Sequence, residues 1–170
     1  NQRFGYYEVE KILATFRERG FVVTSRIRPK PASVGESADV LVKEVRELLA
    51  TGVPADHVTV LGASMGGGIT LVASARLQEP DLRFAVLGVC LSEIAGGLVR
   101  DEGKGPRGRI LAIREASDEY TKDCPAWTAD PKASGLVARE LVLSTGLSHG
   151  FLYRPLPEWV KPVTEWAEGR

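Results

Sequence analysis

The eleven residues Val58-Thr-Val-Leu-Gly62-Ala63-Ser64-Met65-Gly66-Gly67-Gly68 constrain this chain more than any other stretch. A β-branched and apolar run stops at a glycine, a serine follows, and three glycines open an apolar segment that continues to Leu77. That is a strand, a sharp turn and a helix in succession, the setting of the G-x-S-x-G pattern. Such a turn lifts the serine hydroxyl clear of the carboxyl end of its strand, and it is so tight that the neighbours must be small. Gly62, Ala63 and Gly66 meet that demand. Ser64 also stands at the amino end of a helix, where unpaired N–H groups and the helix dipole favour negative charge. The backbone N–H of Met65 is placed to bind an oxyanion there. Two plainer readings compete: Ser64 as a helix N-cap, and the glycines as a phosphate loop. The second lacks both G-x-G-x-x-G and G-K-[ST].

The rest of the chain alternates helix and strand around this turn. Tyr7 to Arg19 puts Val9, Ile12, Leu13 and Phe16 at helical spacing, and Gly20 ends it. Residues 21–27 read as a strand, broken by Pro29 and Pro31. Ser33 or Ser37 caps a second helix through Leu41, Val45, Leu48 and Leu49, stopped by Gly52 and Pro54. After the elbow helix, Phe84 to Leu91 is an unbroken apolar run of the kind buried on both faces of a sheet. Residues 92–108, rich in glycine and charge, read as a long loop or small flap. Residues 109–114 and 139–145 are two more strands. A last helix over 157–167 aligns Trp159, Val160, Val163 and Trp166 on one core face. Such alternation implies a parallel sheet covered on both faces, whose ligand sites lie at the carboxyl ends of the strands.

At 170 residues and 44% hydrophobic, the chain suits one globular domain with a substantial core. Its 22 basic and 22 acidic residues cancel, so no basic excess points to nucleic acid. No apolar run approaches a membrane span, and the start does not read as a signal peptide. The only methionine is Met65, which leads us to expect a segment upstream of Asn1 in the natural protein. Cys90 and Cys124 leave the compartment open: a pair would suit a secreted or periplasmic protein, free thiols the cytoplasm.

With two histidines, the choice of a base for Ser64 is short. His57 precedes the elbow strand and is about 20 Å from Ser64 along it, at the opposite edge of the sheet. His149 follows the last strand by a short turn and lies at the right edge. For an acid to orient it, the loop after strand 109–114 offers Asp118, with Glu115 in reserve. The aromatics Phe4, Tyr6, Phe151 and Tyr153 flank the expected mouth, where substrate contact competes with core packing or plain exposure.

Ser64, Asp118 and His149, in that order and separated by 54 and 31 residues, give the chain its resemblance to α/β-hydrolase-fold serine hydrolases. The resemblance covers nearly the whole chain. It implies a small, mostly parallel α/β sheet with helices on both faces, no large cap domain, and an esterase-like acyl-enzyme chemistry. Ser64 would be nucleophile, His149 base, Asp118 acid and Met65 an oxyanion donor, with Phe4, Tyr6 and Phe151 as substrate contacts. No metal or organic cofactor is needed, and the partner is a small-molecule ester. A thioesterase, lactonase or acyl-peptide hydrolase would carry the same three residues, and a silent binding module could retain the fold. One departure stands out: hydrolases of this fold place a strand between those resembling 21–27 and 58–62. Its following loop supplies a second oxyanion donor, and here that strand is expected before Asn1.

Overall fold

The computed structural model describes residues 3–26, 28, 30–90, 105–124 and 136–170. Helix α1 spans Val9–Arg17 and α2 spans Val34–Ala50. A 3-10 turn, Ala55–His57, leads into β1, Thr59–Ala63. Helix α3, Met65–Leu77, is followed by β2, Arg83–Leu87, β3, Gly108–Glu115, and β4, Leu136–Leu143. A 3-10 helix over Ser148–Tyr153 and helix α4, Pro157–Ala167, complete the described residues.

The four strands lie in the order β1-β2-β3-β4, and every pairing is parallel. In register, Ala63 faces Leu87, Leu87 faces Ile113 and Ile113 faces Leu141. All strands therefore end on one edge, and the segments leaving them converge there. Alternation along the strands sorts the core into two layers. Phe84, Val86, Ile110 and Ala112 point to α2 and α3, meeting Val45 and Leu71. Ala85, Leu87, Leu111 and Ile113 point to α1 and α4, meeting Ile12, Phe16, Trp159 and Val163. Both faces are covered, which is why the 84–91 run is apolar without alternation. This is the architecture of the α/β-hydrolase fold in a small form.

Local signals set the helices. Ser33 caps α2 in a reciprocal box: its hydroxyl accepts from the Glu36 N–H at 3.1 Å, and the Glu36 carboxylate accepts from the Ser33 N–H at 2.8 Å. Hydrogen bonding to the carboxylate, first from the Ser33 N–H and then from the Ser33 hydroxyl, holds the Glu36 carboxyl below its ordinary value. Helix α3 is buried around most of its girth, from Gly67 to Ala75, because it packs on the sheet and beneath α2 at once.

Three expectations need correction. Residues 21–26 form no strand. Phe21 and Val23 pack on the α1/α4 core while Val22 is 99% exposed, so the alternation reflects one buried face. A ladder also needs a neighbour, and β1 pairs only with β2 among the described residues; Leu61 in β1 is exposed. Residue 27 lies outside the described residues. The strand over 84–91 starts at Arg83 and ends at Leu87, where Gly88 turns the chain at φ 63°. The last strand begins three residues earlier than expected and ends two earlier. Of the expected loop 92–108, residues 92–104 fall outside the described residues.

Candidate active site

Ser64 stands between β1 and α3 with φ 52° and ψ −122°, a positive-φ conformation that non-glycine residues rarely adopt. Its N–H donates to the Leu87 carbonyl at 2.8 Å, and its carbonyl accepts from the Gly67 N–H at 2.8 Å. The turn is thus pinned to β2 on one side and to its own helix on the other. A side chain at Gly62 would drive into the Gly66 carbonyl and the Thr70 hydroxyl, whereas one at Gly66 would meet open space. Only the first glycine of the pattern is forced by packing. The Ser64 hydroxyl makes no capping bond to α3, so the N-cap reading fails.

That hydroxyl instead lies 3.0 Å from Nε2 of His149, and Nδ1 of the same ring lies 2.7 Å from Oδ2 of Asp118. A carboxylate can only accept, so Nδ1 carries the proton and Nε2 is left to accept the serine O–H. Asp118 is fully buried, and its other oxygen accepts from the Tyr120 N–H at 3.1 Å. Its turn is tied by the Thr121 and Lys122 N–H groups donating to the Asp118 carbonyl at 3.0 and 2.7 Å. His149 sits in the 3-10 helix after β4, preceded by Ser148 at φ 51°. Gly88 makes room for the ring: a side chain there would stand 3.1 Å from Cε1 of the imidazole. His57 lies at the other end of β1, closing the turn that precedes it.

The Met65 N–H is the first of α3, among those an α-helix leaves without an internal partner. It points the positive end of the helix at the serine's surroundings.

Phe4, Ser64, Gly88, Tyr120, His149 and Tyr153 line a cavity of about 330 Å³. Tyr120 meets the His149 ring edge-on at 4.9 Å, and Phe4 lies 5.5 Å from Tyr153. Arg3 pairs with Glu119, tying the segment that carries Phe4 to the loop that carries Asp118. Burial, with a smaller contribution from neighbouring Tyr153, raises the Tyr7 hydroxyl above its ordinary value behind this wall. Of the expected substrate contacts, Phe4 is at the cavity. Phe151 is completely buried in the α1/α4 core and Tyr6 is 84% exposed, and neither lines it. A 3-10 helix at 148–153 turns Phe151 inward and Tyr153 toward the mouth, a periodicity that the loop reading of this stretch does not contain. Tyr120, which no sequence pattern singles out, joins the lining because it stands two residues after Asp118.

Glu115 does not reach His149. Its buried carboxylate instead receives the N–H groups of Ser117, Thr145 and Gly146 and the Ser117 hydroxyl. Burial alone would raise this carboxyl, but those bonds outweigh it and hold it below its ordinary value. Cys90 and Cys124 form a disulfide. No group of three or more His, Cys, Asp or Glu among the described residues is arranged to hold a metal ion. No helix among them is long and apolar enough to cross a membrane.

Sheet order, the elbow turn and the converging loops together define an α/β-hydrolase fold, and solved structures carry the same architecture. Arabidopsis thaliana SOBER1 superposes with a TM-score of 0.55 at 23% identity, over 88% of this chain and 69% of that one. Two single-residue variants of SOBER1 give the same TM-score at 21% and 20% identity. They cover 84% and 88% of this chain and 67% and 69% of theirs. No protein-family model matches the sequence, and no curated protein matches it.

Proposed function

We propose that this chain is a serine hydrolase that cleaves small carboxylic esters through an acyl-enzyme on Ser64. The observation that carries the reading is the unbroken hydrogen-bonded run Ser64–His149–Asp118, assembled from segments that leave three different strands. The donor order along it, Ser64 hydroxyl to Nε2 and Nδ1–H to the Asp118 carboxylate, is the one that proton transfer from the serine needs.

In the first half-reaction, Ser64 Oγ bonds to the ester carbonyl carbon while its proton passes to Nε2 of His149. The charge that develops on the carbonyl oxygen falls by the Met65 N–H at the positive end of α3. Asp118, accepting from Nδ1, holds the ring and stabilises its protonated form. Collapse breaks the bond to the leaving alcohol, which takes the proton back from His149. Water then repeats the sequence on the acyl-enzyme, releasing the acid and free Ser64. The aromatic lining of Phe4, Tyr120 and Tyr153 favours an apolar group of modest size on one side of the ester.

A fluorophosphonate probe tests this directly. Ser64 should be labelled in the wild type. Labelling should fall by on the order of 10³-fold or more in His149→Ala. A folded wild-type protein that takes no label at Ser64 would instead favour a binding module that keeps the fold without the chemistry.

A further inference from the structure

We infer that Glu115 is a positioning residue of this site: its buried carboxylate staples the loop carrying Asp118 to the loop carrying His149 and so sets the geometry of their hydrogen bond. The inference rests on the proposed function and extends it to a group outside the cavity.

The sheet itself stops short of the two loops. The β3–β4 ladder ends with Glu115 facing Leu143, and the Ala116 N–H donating to the Leu143 carbonyl at 2.8 Å is the last backbone rung. Beyond it, three further links join the loops among the described residues besides the Asp118–His149 pair and the Tyr120 ring against His149. Oε1 of Glu115 accepts from Thr145 and Gly146 N–H at 2.9 and 3.0 Å, at the root of the histidine loop. Oε2 accepts from the Ser117 N–H at 2.7 Å and the Ser117 hydroxyl at 2.5 Å, one residue before Asp118. The Ser117 hydroxyl in turn accepts from the Ser148 N–H at 3.2 Å, one residue before His149. One side chain thus reaches the immediate neighbours of both members of the pair, with the backbone between them bent through Ser148 at positive φ.

The chemistry of the staple calls for a carboxylate. Three of its four partners are backbone N–H groups, two on one oxygen and one on the other, and these can only donate. An amide in the same place would turn its NH₂ on at least one of them. The same bonds keep the group ionised well below neutrality. Glu115 is fully buried and does not line the cavity, so it cannot exchange a proton with substrate.

Glu115→Gln in the full chain is the test. It is read by near-UV circular dichroism for folding, by the rate of fluorophosphonate labelling, by kcat and KM on a small p-nitrophenyl ester, and by the low-field NMR resonance of the His149 Nδ1 proton. A misplacement of a few tenths of an ångström to an ångström in the pair should lower the labelling rate and kcat by about 10- to 100-fold. KM should stay within about twofold, and the low-field resonance should shift or broaden. A folded Glu115→Gln protein with wild-type labelling rate and an unchanged resonance would overturn the inference. Should that variant fail to fold, Ser117→Ala removes only the hydroxyl that relays Glu115 to Ser148. Labelling about three- to tenfold slower is then expected, and wild-type labelling would overturn the staple. If the wild type takes no label at all, the proposed function falls, while the NMR resonance still reports whether Glu115 sets the Asp118–His149 bond.

Discussion

Two glycines bracket Ser64, and the sequence pattern treats them alike. Packing does not. A methyl group on Gly62 would collide with the backbone of Gly66, which the helix fixes, and with the buried Thr70. A methyl group on Gly66 would enter open space in a helical position. Gly62→Ala should therefore cost about 3 kcal/mol or more, as overpacking against rigid backbone does. Gly66→Ala should be neutral or stabilise by up to about 1 kcal/mol, from helix propensity alone. Urea denaturation of the two variants checks this, and equal destabilisation would contradict the asymmetry. Ser64, Asp118 and His149 are legible in the sequence because each demand is local: a turn type, a strand end, a hydrogen-bonding side chain. The cavity wall is not. Whether Phe151 or Tyr153 faces the mouth depends on a single 3-10 turn, and the sequence there carries no cap or period strong enough to announce it.

At the scale of elements, helices are legible because caps and apolar spacing are written into neighbouring residues, as Ser33 and Glu36 illustrate. Strands are less so because their hydrogen bonds go to partners far away in sequence. Phe21 and Val23 pack, partly buried, on one face while Val22 between them is exposed, yet such burial carries no information about a ladder. The disulfide is a second long-range feature that spacing alone left undecided. It fastens Cys90, three residues past β2, to Cys124, whose N–H donates to the Thr121 carbonyl in the turn that follows the one at Asp118. Its 34-residue separation corresponds to about 3–4 kcal/mol in the chain-entropy account of cross-links. Reduction, or replacement of both cysteines by serine, should lower the melting temperature by about 10 °C for a chain of this size. A melting curve unmoved by reductant would show that the cross-link adds nothing to the folded state.

For the molecule as a whole, acid is the informative stress, because the chain is balanced at neutrality with 22 basic and 22 acidic residues. Most carboxylates lie at the surface, where protonation changes little beyond net charge. Glu115 differs in being buried and held by four bonds that need its charge. Its folded value is lowered from the ordinary 4.5. A depressed carboxyl contributes stability that is fully present above the unfolded value and is lost as pH falls through the folded one. The contribution of Glu115 should thus be complete at neutral pH and begin to fail only below about pH 4.5. A glutamine at this position cannot titrate, so the gap in stability between wild type and Glu115→Gln should be widest at neutrality and should close as the pH drops below that point. Thermal unfolding of both proteins across the acid range measures it. A gap that stays constant would mean that the carboxylate's charge is irrelevant to the fold. A closing gap would mean that the carboxylate joining the two loops of the site also carries part of the acid sensitivity of the whole sheet.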